Sequence, residues 1–391
     1  MSKAKDYIID FIKGTDKLLL LFCLLASAFG ILVVYSATLH DMAADAIMPR
    51  EAFTMIVAVV LGLTMAMIIS LIDYDIICKL WPIWGVLSIA LMLIVMSPLG
   101  VAPPSRPDSQ VWIDLKFFYF QPSELVKVFF IITFSTHLNA VRHSINKIGT
   151  LAFLGLHAAI PILLVMKSGD DGSALVFICI AIGMIFVAGI DWKYMVGGLV
   201  AILAAVPLLW VKLSEFQKAR FIVIFDPEAY PDTAYQQNRG LAAIGQGGFF
   251  GTGLFEGPYT QSGSVPVSES DMIFTVVAEE LGLLGGMLAL GLICGVIYRI
   301  ISSGKKAVSG PALLMSYGLA AMIASQTIIN VAMCLRVGPV IGITLPFFSA
   351  GGSSSLCLYI GLGLAFSLYR TAYNQKPMNF RLTSIRSPFT T

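Results

Sequence analysis

The stretch Leu18-Leu-Leu-Leu-Phe-Cys-Leu-Leu-Ala-Ser-Ala-Phe-Gly-Ile-Leu-Val-Val-Tyr-Ser-Ala-Thr-Leu-His40 runs 23 residues without an Asp, Glu, Lys or Arg. About 20 apolar residues of helix cross the roughly 30 Å hydrocarbon core of a bilayer. Lys3, Lys5, Lys13 and Lys17 precede the run. A cleaved signal peptide has a shorter apolar run of about 7–15 residues and a small-residue cleavage site. This run therefore reads as a first transmembrane helix that stays in the chain. Working outward, charges fence the sequence into nine further runs, at about 53–72, 80–99, 122–140, 149–166, 173–190, 194–211, 272–300, 309–333 and 352–370. The expected fold is an all-α polytopic membrane protein of about ten transmembrane helices, with one large extracellular loop between helices 7 and 8. The fourth helix is the least typical, with Glu124 and Lys127 in its first turns, and the eighth holds Glu279 and Glu280.

Composition agrees. Of 391 residues, 57% are hydrophobic and 12% charged, whereas soluble chains are about 25% charged. Mean hydropathy is +0.85. So few charges cannot cover two or three soluble domains, and disordered, collagenous and disulfide-scaffold classes are excluded as well. A net charge of +2 gives no electrostatic support to a nucleic-acid partner. The six cysteines lie in or beside apolar runs without a CxxC pair, and read as buried small apolar residues. No HExxH, GxSxG or Walker A pattern occurs, which sets aside zinc-hydrolase chemistry and ATP-driven coupling within this chain.

With an even number of crossings both termini share a side. Placing the N-terminus in the cytoplasm puts 15 Lys and Arg inside and 5 on the short outside loops, the bias of the positive-inside rule. Both termini are thus expected in the cytoplasm, with residues 371–391 as a short cytoplasmic tail. The segment 212–271 becomes an extracellular loop rich in aromatics, in which Phe216–Phe225 reads as an amphipathic helix on the membrane surface. Loops this long without evident regular structure are usually functional or disordered, and this composition argues against disorder.

Candidate chemistry collects there. Asp271 begins the eighth helix at its outer end, where a helix N-terminus stabilises an anion, with Ser270 as a plausible cap; the bland alternative is a capping acid. Glu279 and Glu280 lie about two turns deeper. Intramembrane charges at that depth suggest function by default, or a structural pair with Lys127 or Arg336. Glu124 and Lys127, spaced i, i+3, meet on one helix face, either as a mutual ion pair or with Lys127 supporting an anion in a cavity. Asp170 and Asp171, in a Gly-rich turn, have the chemistry of a hard-cation site, although two residues do not specify one. The glycines of Gly245–Gly253 permit close backbone approach, either to present N–H groups to an anionic headgroup or simply to pack. The apolar, Gly- and Pro-rich segment Arg336–Ser355 reads as a re-entrant segment buried beside the main loop.

Several of these stretches carry a family resemblance. Gln121-Pro-Ser-Glu-Leu-Val-Lys127, Phe225-Asp-Pro227, Tyr235-Gln236, Ala243-Ile-Gly-Gln-Gly-Gly-Phe-Phe-Gly-Thr-Gly253, Ser270-Asp-Met-Ile-Phe274 with Glu279-Glu-Leu-Gly282, and Leu345-Pro-Phe-Phe-Ser-Ala-Gly-Gly-Ser-Ser354 occur in this order. Together they resemble the motifs of the SEDS (shape, elongation, division and sporulation) family over nearly the whole chain. Departures fall at Val111, Met272, Arg336, Ile341, Thr344 and Ala350, and in the turn Ser168–Ser173, which keeps Asp170 and Gly172.

The resemblance implies one membrane domain of the RodA/FtsW type, in the bacterial cytoplasmic membrane. It implies a peptidoglycan glycosyltransferase that polymerises lipid II in complex with a class B penicillin-binding protein. It puts the essential loop aspartate at Asp271, as base or metal-bound activator, with Glu124, Lys127, Asp170, Arg220, Gln236, Glu279, Glu280, Arg336 and Ser349 in binding or supporting places. Lys127, Arg220, Arg336 or a divalent cation such as Mg or Mn would neutralise the leaving pyrophosphate. The competing readings are a lipid II flippase and a non-catalytic scaffold for the penicillin-binding protein.

Overall fold

The computed structural model describes residues 11–374 apart from 13, 43–46, 103–108, 117 and 307–308. Lys3, Lys5, Lys13 and the tail beyond residue 374 lie outside the described residues. Among the described residues there are fourteen helices and one small three-stranded sheet. In chain order the helices are α1 (Lys17–Ala37), α2 (Arg50–Ser70), α3 (Tyr74–Lys79), α4 (Trp81–Val95), α5 (Pro122–Ala140), α6 (Ile148–Lys167), α7 (Asp171–Val187) and α8 (Trp192–Lys212), followed by α9 (Glu215–Phe225), α10 (Pro231–Gly247), α11 (Pro258–Gln261), α12 (Ile273–Lys306), α13 (Gly310–Cys334) and α14 (Gly352–Asn374). The ten apolar runs of the sequence coincide with ten of these. Six of the ten, α1, α2, α6, α12, α13 and α14, are long and apolar enough to cross a bilayer.

The segment between α8 and α12, expected without evident regular structure, is largely helical. Ser214 begins α9 with a capping box, accepting from the Gln217 amide at 3.3 Å while Gln217 Oε1 accepts from the Ser214 amide at 3.2 Å. Helix α9 buries Ala219, Arg220 and Val223 and exposes Phe221 and Phe225, an inside-out pattern for water and a sensible one for a helix against lipid. Helix α10 buries Ala234, Gln237, Gly240, Ala243 and Gly247. Apart from Gln237 this stripe is of small residues at helical spacing, which lets the helix lie close against α12.

The centre of the bundle is α13 and α14, with α14 laid along α2 and α12 between α1 and α13. Small residues allow the approach: a Cβ at Gly62 of α2 would stand 2.7 Å from the Tyr359 Cβ of α14, and Tyr359 and Ser27 share a hydrogen bond of 2.8 Å.

At the opposite end from the long segment, Asp16 caps α1, accepting from the amides of Leu18 and Leu19. It also takes the guanidinium of Arg299 at 2.6 and 3.0 Å and the Ser303 hydroxyl at 3.2 Å. Asp16 is only 2% exposed, so Arg299→Ala strands a buried charge. We expect that variant to lose about 3 kcal/mol of stability, measured by thermal denaturation of the purified protein, with Asp16→Asn losing less. A wild-type melting temperature for Arg299→Ala would refute the assignment.

Helix α12 is broken at Gly282 (φ 64°). The Leu283 and Leu284 amides, which in a regular helix would bond the carbonyls of residues 279 and 280, bond Gly248 and Phe249 instead, at 3.0 and 3.3 Å. The freed carbonyls of Glu279 and Glu280 accept from Thr252 and Gly253, each at 3.0 Å. The glycine-rich loop is thus spliced into the helix, and these four opened backbone groups find new partners. Its glycines are needed for this docking: a Cβ would stand 1.9 Å from the Ala278 carbonyl oxygen at Gly247, and 2.1 Å from that of Glu280 at Gly251. Of the two readings of Gly245–Gly253, the packing one describes the structure.

Candidate active site

A cleft of about 890 Å³ opens at one end of the bundle. Its walls come from widely separated segments: the start of α2, the sheet and the start of α5, the Gly169–Asp170 turn, α9 with α10, residues 267–271, and the stretch from Val340 to Ser354. Strand β1 (Gly100–Val101) pairs antiparallel with β2 (Trp112–Asp114), which pairs with β3 (Tyr119–Phe120).

Asp271 lines this cleft. Helix α12 begins at Ile273 rather than at Asp271, because residues 266–272 form turns instead of the first helical turn. Asp271 thus sits in the approach to the helix and not at its cap. That approach is clamped from below. Asn330 Nδ2 donates 2.8 Å to the Asp271 carbonyl and 2.7 Å to that of Ile343. The Ser349 hydroxyl donates 2.7 Å to the Ser270 carbonyl and accepts from the Leu345 amide at 2.7 Å. The Ala350 amide donates 2.8 Å to the Glu269 carbonyl. Gly342, at φ 68°, leaves the space in front of the Asp271 carboxylate: a Cβ there would be 3.3 Å from Oδ2. Ser349 therefore supports the aspartate's backbone from within the buried segment Leu345–Ser349.

Asp170, Arg220 and Gln236 share the cleft with Asp271. Asp170 caps α7 through the Ser173 amide at 3.0 Å and accepts from Gln121 Nε2 at 2.8 Å and Ser123 Oγ at 2.7 Å. It thereby ties the start of α5 to the start of α7. Asp171 accepts from Gln217 Nε2 at 2.8 Å, which fastens α9 to the same place. The carboxylates of this turn are engaged as acceptors by neutral donors, and among the described residues no three His, Cys, Asp or Glu side chains converge in a metal-binding group.

The remaining candidates lie outside the cleft. Glu124 and Lys127 form a buried ion pair of 2.7 Å, and Lys127 has no exposure. Glu124 touches a void of only about 10 Å³ beneath the cleft, about the volume one water needs. Glu279 accepts from the amides of Tyr259 and Thr260 at 2.7 and 2.9 Å and from the Thr260 hydroxyl at 2.6 Å. Glu280 accepts from Ser36 Oγ at 2.7 Å and Gln261 Nε2 at 3.0 Å. These acids anchor α11 and α1 to α12, and neither pairs with Lys127 or Arg336. Arg336, at φ 57°, donates 2.9 Å to Asn238 Oδ1 and fastens α10 to the end of α13.

Sequence reasoning missed Arg50, Glu51, Trp112, Tyr119 and Glu269, all of which line the cleft. Glu269 carried one usable signal, its place two residues from Asp271. Burial first, and then the like charges of Glu51 and Asp41, hold its carboxyl above the usual carboxylate range. The unfolded chain releases this proton at lower pH than the folded one. The associated stability is therefore whole below the ordinary carboxylate value and is lost as pH rises through the raised one. Glu269→Gln should melt above wild type near neutral pH and match it at about pH 4. Thermal melting across pH checks this, and a constant difference at every pH would refute it.

The profile described as "Cell cycle protein", that of FtsW, RodA and SpoVE, matches residues 16–374. The chain belongs to the FtsW/RodA/SpoVE family. This family member is similar to the peptidoglycan glycosyltransferase MrdB of Escherichia coli, with 27% identity over 358 residues, 90% of this chain and 93% of that one. It is also similar to the probable peptidoglycan glycosyltransferase FtsW of Coxiella burnetii, with 32% identity over 86% of this chain and 91% of the relative. Among solved structures it resembles a chain from a study of polymerization and crosslinking by a peptidoglycan synthase complex, with TM-score 0.77, 26% identity, and 92% and 98% coverage. The rod shape determining protein RodA of Thermus thermophilus aligns with TM-score 0.67 and 25% identity over the same shares. The SEDS resemblance read from the motifs is thus upheld over nearly the full chain, and this is a multi-span protein of a bacterial membrane.

Proposed function

We propose that this FtsW/RodA/SpoVE-family protein is a peptidoglycan glycosyltransferase that polymerises lipid II, with Asp271 as the base. The observation that carries the reading is the cleft in which Asp271, on a turn held by Asn330, Ser349 and Ala350, faces the same space as Arg220. Both termini lie in the cytoplasm and the cleft opens at the outer surface, in keeping with the 15-to-5 distribution of basic residues. The whole chain acts as one membrane domain, and a class B penicillin-binding protein is its partner.

The reaction is a single displacement. The 4-hydroxyl of an acceptor N-acetylglucosamine attacks the anomeric carbon of a donor N-acetylmuramic acid. The bond from that carbon to the pyrophosphate oxygen breaks as the new glycosidic bond forms, so an α-linked donor gives a β-1,4 product. The hydroxyl proton passes to the Asp271 carboxylate, and undecaprenyl pyrophosphate leaves. Arg220, almost fully buried at the cleft wall, supplies fixed positive charge where the pyrophosphate gains negative charge. Glu124, Lys127, Glu279 and Glu280 act structurally, by holding the helices that form the walls.

The test is purified protein with and without a class B penicillin-binding protein, given lipid II in detergent, where flipping has no meaning. Glycan strands on a gel are expected from the complex. Their absence under every condition would overturn the reading in favour of a flippase or a scaffold.

A further inference from the structure

The small sheet at the cleft mouth carries two aromatic rings that the bundle does not use. Side chains alternate along a strand, so Trp112 and Asp114 share one face of β2 and Ile113 takes the other. Tyr119 stands opposite Asp114 and therefore shares the Trp112 face. Ile113 packs against the apolar core, while Trp112 and Tyr119 both line the cleft. Their rings lie 5.6 Å apart with planes 31° from parallel, and Tyr119 is 51% exposed. Aromatic anchors at a membrane boundary face lipid. These two rings instead bound a space whose other walls include Asp170, Arg220 and Asp271.

We propose that Trp112 and Tyr119 form a stacking platform for a pyranose ring of the lipid-linked disaccharide, a sugar subsite of the cleft. The assignment rests on the glycosyltransferase reading. A pyranose presents C–H groups on its faces and hydroxyls around its rim. The faces meet the negative π-surface of an aromatic ring, and the rim remains available to polar walls. Trp and Tyr offer large, rigid contact area at small entropic cost. The platform is also set in place before ligand arrives. The Gln121 amide at the end of β3 donates 2.9 Å to Ser353 Oγ, and Gly169 packs so closely against Ser109, ahead of β2, that a Cβ would stand 2.4 Å from the serine Cβ. The sheet is thus pinned to the Asp170 turn and to α14, and binding does not have to order it.

The test uses the purified complex with its penicillin-binding partner. Trp112→Ala is expected to raise KM by about tenfold with kcat within about twofold, and Trp112→Phe to recover most of the loss. A preformed glycan strand stripped of its pyrophosphate can act only as acceptor, so a raised KM for that strand places the ring on the acceptor, and a raised KM for lipid II with the strand's KM unchanged places it on the donor. Undecaprenyl pyrophosphate, which has no sugar, is expected to inhibit wild type and Trp112→Ala equally. Should Trp112→Ala fail to fold, Tyr119→Ala, at an exposed position, carries the same test. An unchanged KM for both substrates, or equal weakening of the sugar-free lipid and lipid II, overturns the platform. If wild type polymerises and the variants match it, the platform alone falls. If wild type makes no polymer, the enzyme reading falls and takes the platform with it.

Discussion

Asp271→Asn is expected to lower the polymerisation rate by about 10²–10⁴-fold, the usual contribution of a positioned base, with the fold and the KM for lipid II nearly unchanged. The fold should survive because this turn is held through its backbone: Asn330 holds the Asp271 carbonyl, Ser349 that of Ser270, and Ala350 that of Glu269. An amide of the same shape leaves these in place. KM should survive because the pyrophosphate and sugars are held by other walls, Arg220 and the aromatic sheet among them. What is lost is the capacity to take the acceptor's proton, and such a loss appears in kcat. The measurement is glycan synthesis by the mutant complex, with its melting temperature as the control for folding. Wild-type polymerisation by Asp271→Asn would end the assignment.

The legible and illegible parts of this protein divide by the range of the interactions that set them. A crossing helix needs a minimum apolar length, so apolar runs bounded by charge were enough to find ten helices, six of which are long and apolar enough to cross a bilayer. The helix-to-loop order placed Asp271, Arg220, Gln236 and Asp170 in separated segments, and all four meet in the cleft. Glu279 and Glu280 were legible as costly acids but not in their roles. Their partners are chosen by tertiary contact: the hydroxyl of Ser36 lies 244 residues from Glu280 in sequence, and the amides that receive Glu279 belong to a four-residue helix with no strong pattern. Lys127 shows the same limit in reverse. Its spacing from Glu124 allowed either a local pair or a ligand contact, and the structure shows the pair, 2.7 Å long and buried. Trp112, Tyr119 and Arg50 were given no site role because a cleft built from six distant segments leaves no local periodicity to read.

The division of labour between cleft and scaffold has a consequence at Gly251. Gly251→Val is expected to abolish polymerisation and to destabilise the protein by more than about 4 kcal/mol, in the range reserved for mutations that break a named structural device. Gly251 adopts φ 88°, where a β-branched residue is a genuine outlier. Its missing Cβ would stand 2.1, 2.4 and 2.6 Å from the Glu280 oxygen, the Glu280 carbon and the Leu281 Cα. All three are backbone atoms of α12 that cannot rotate aside. Relief requires the loop to lift out of the break at Gly282, which would uncover the Thr252, Gly253, Leu283 and Leu284 amides together with their carbonyl partners, each costly to bury unpaired. The Glu279 and Glu280 carboxylates would lose their grip on α11 next, since Tyr259, Thr260 and Gln261 lie on the same detached segment. With that segment moves the approach to Asp271, so activity and melting temperature should fall together, unlike Asp271→Asn, which separates them. Gly245→Ala is the matched control. It lies in the same glycine run with open space where its Cβ would go, and it should melt and polymerise as wild type. Equal losses from Gly245→Ala and Gly251→Val would show that the glycines serve flexibility or ligand approach in general, and would overturn the account in which the loop is spliced into a broken helix.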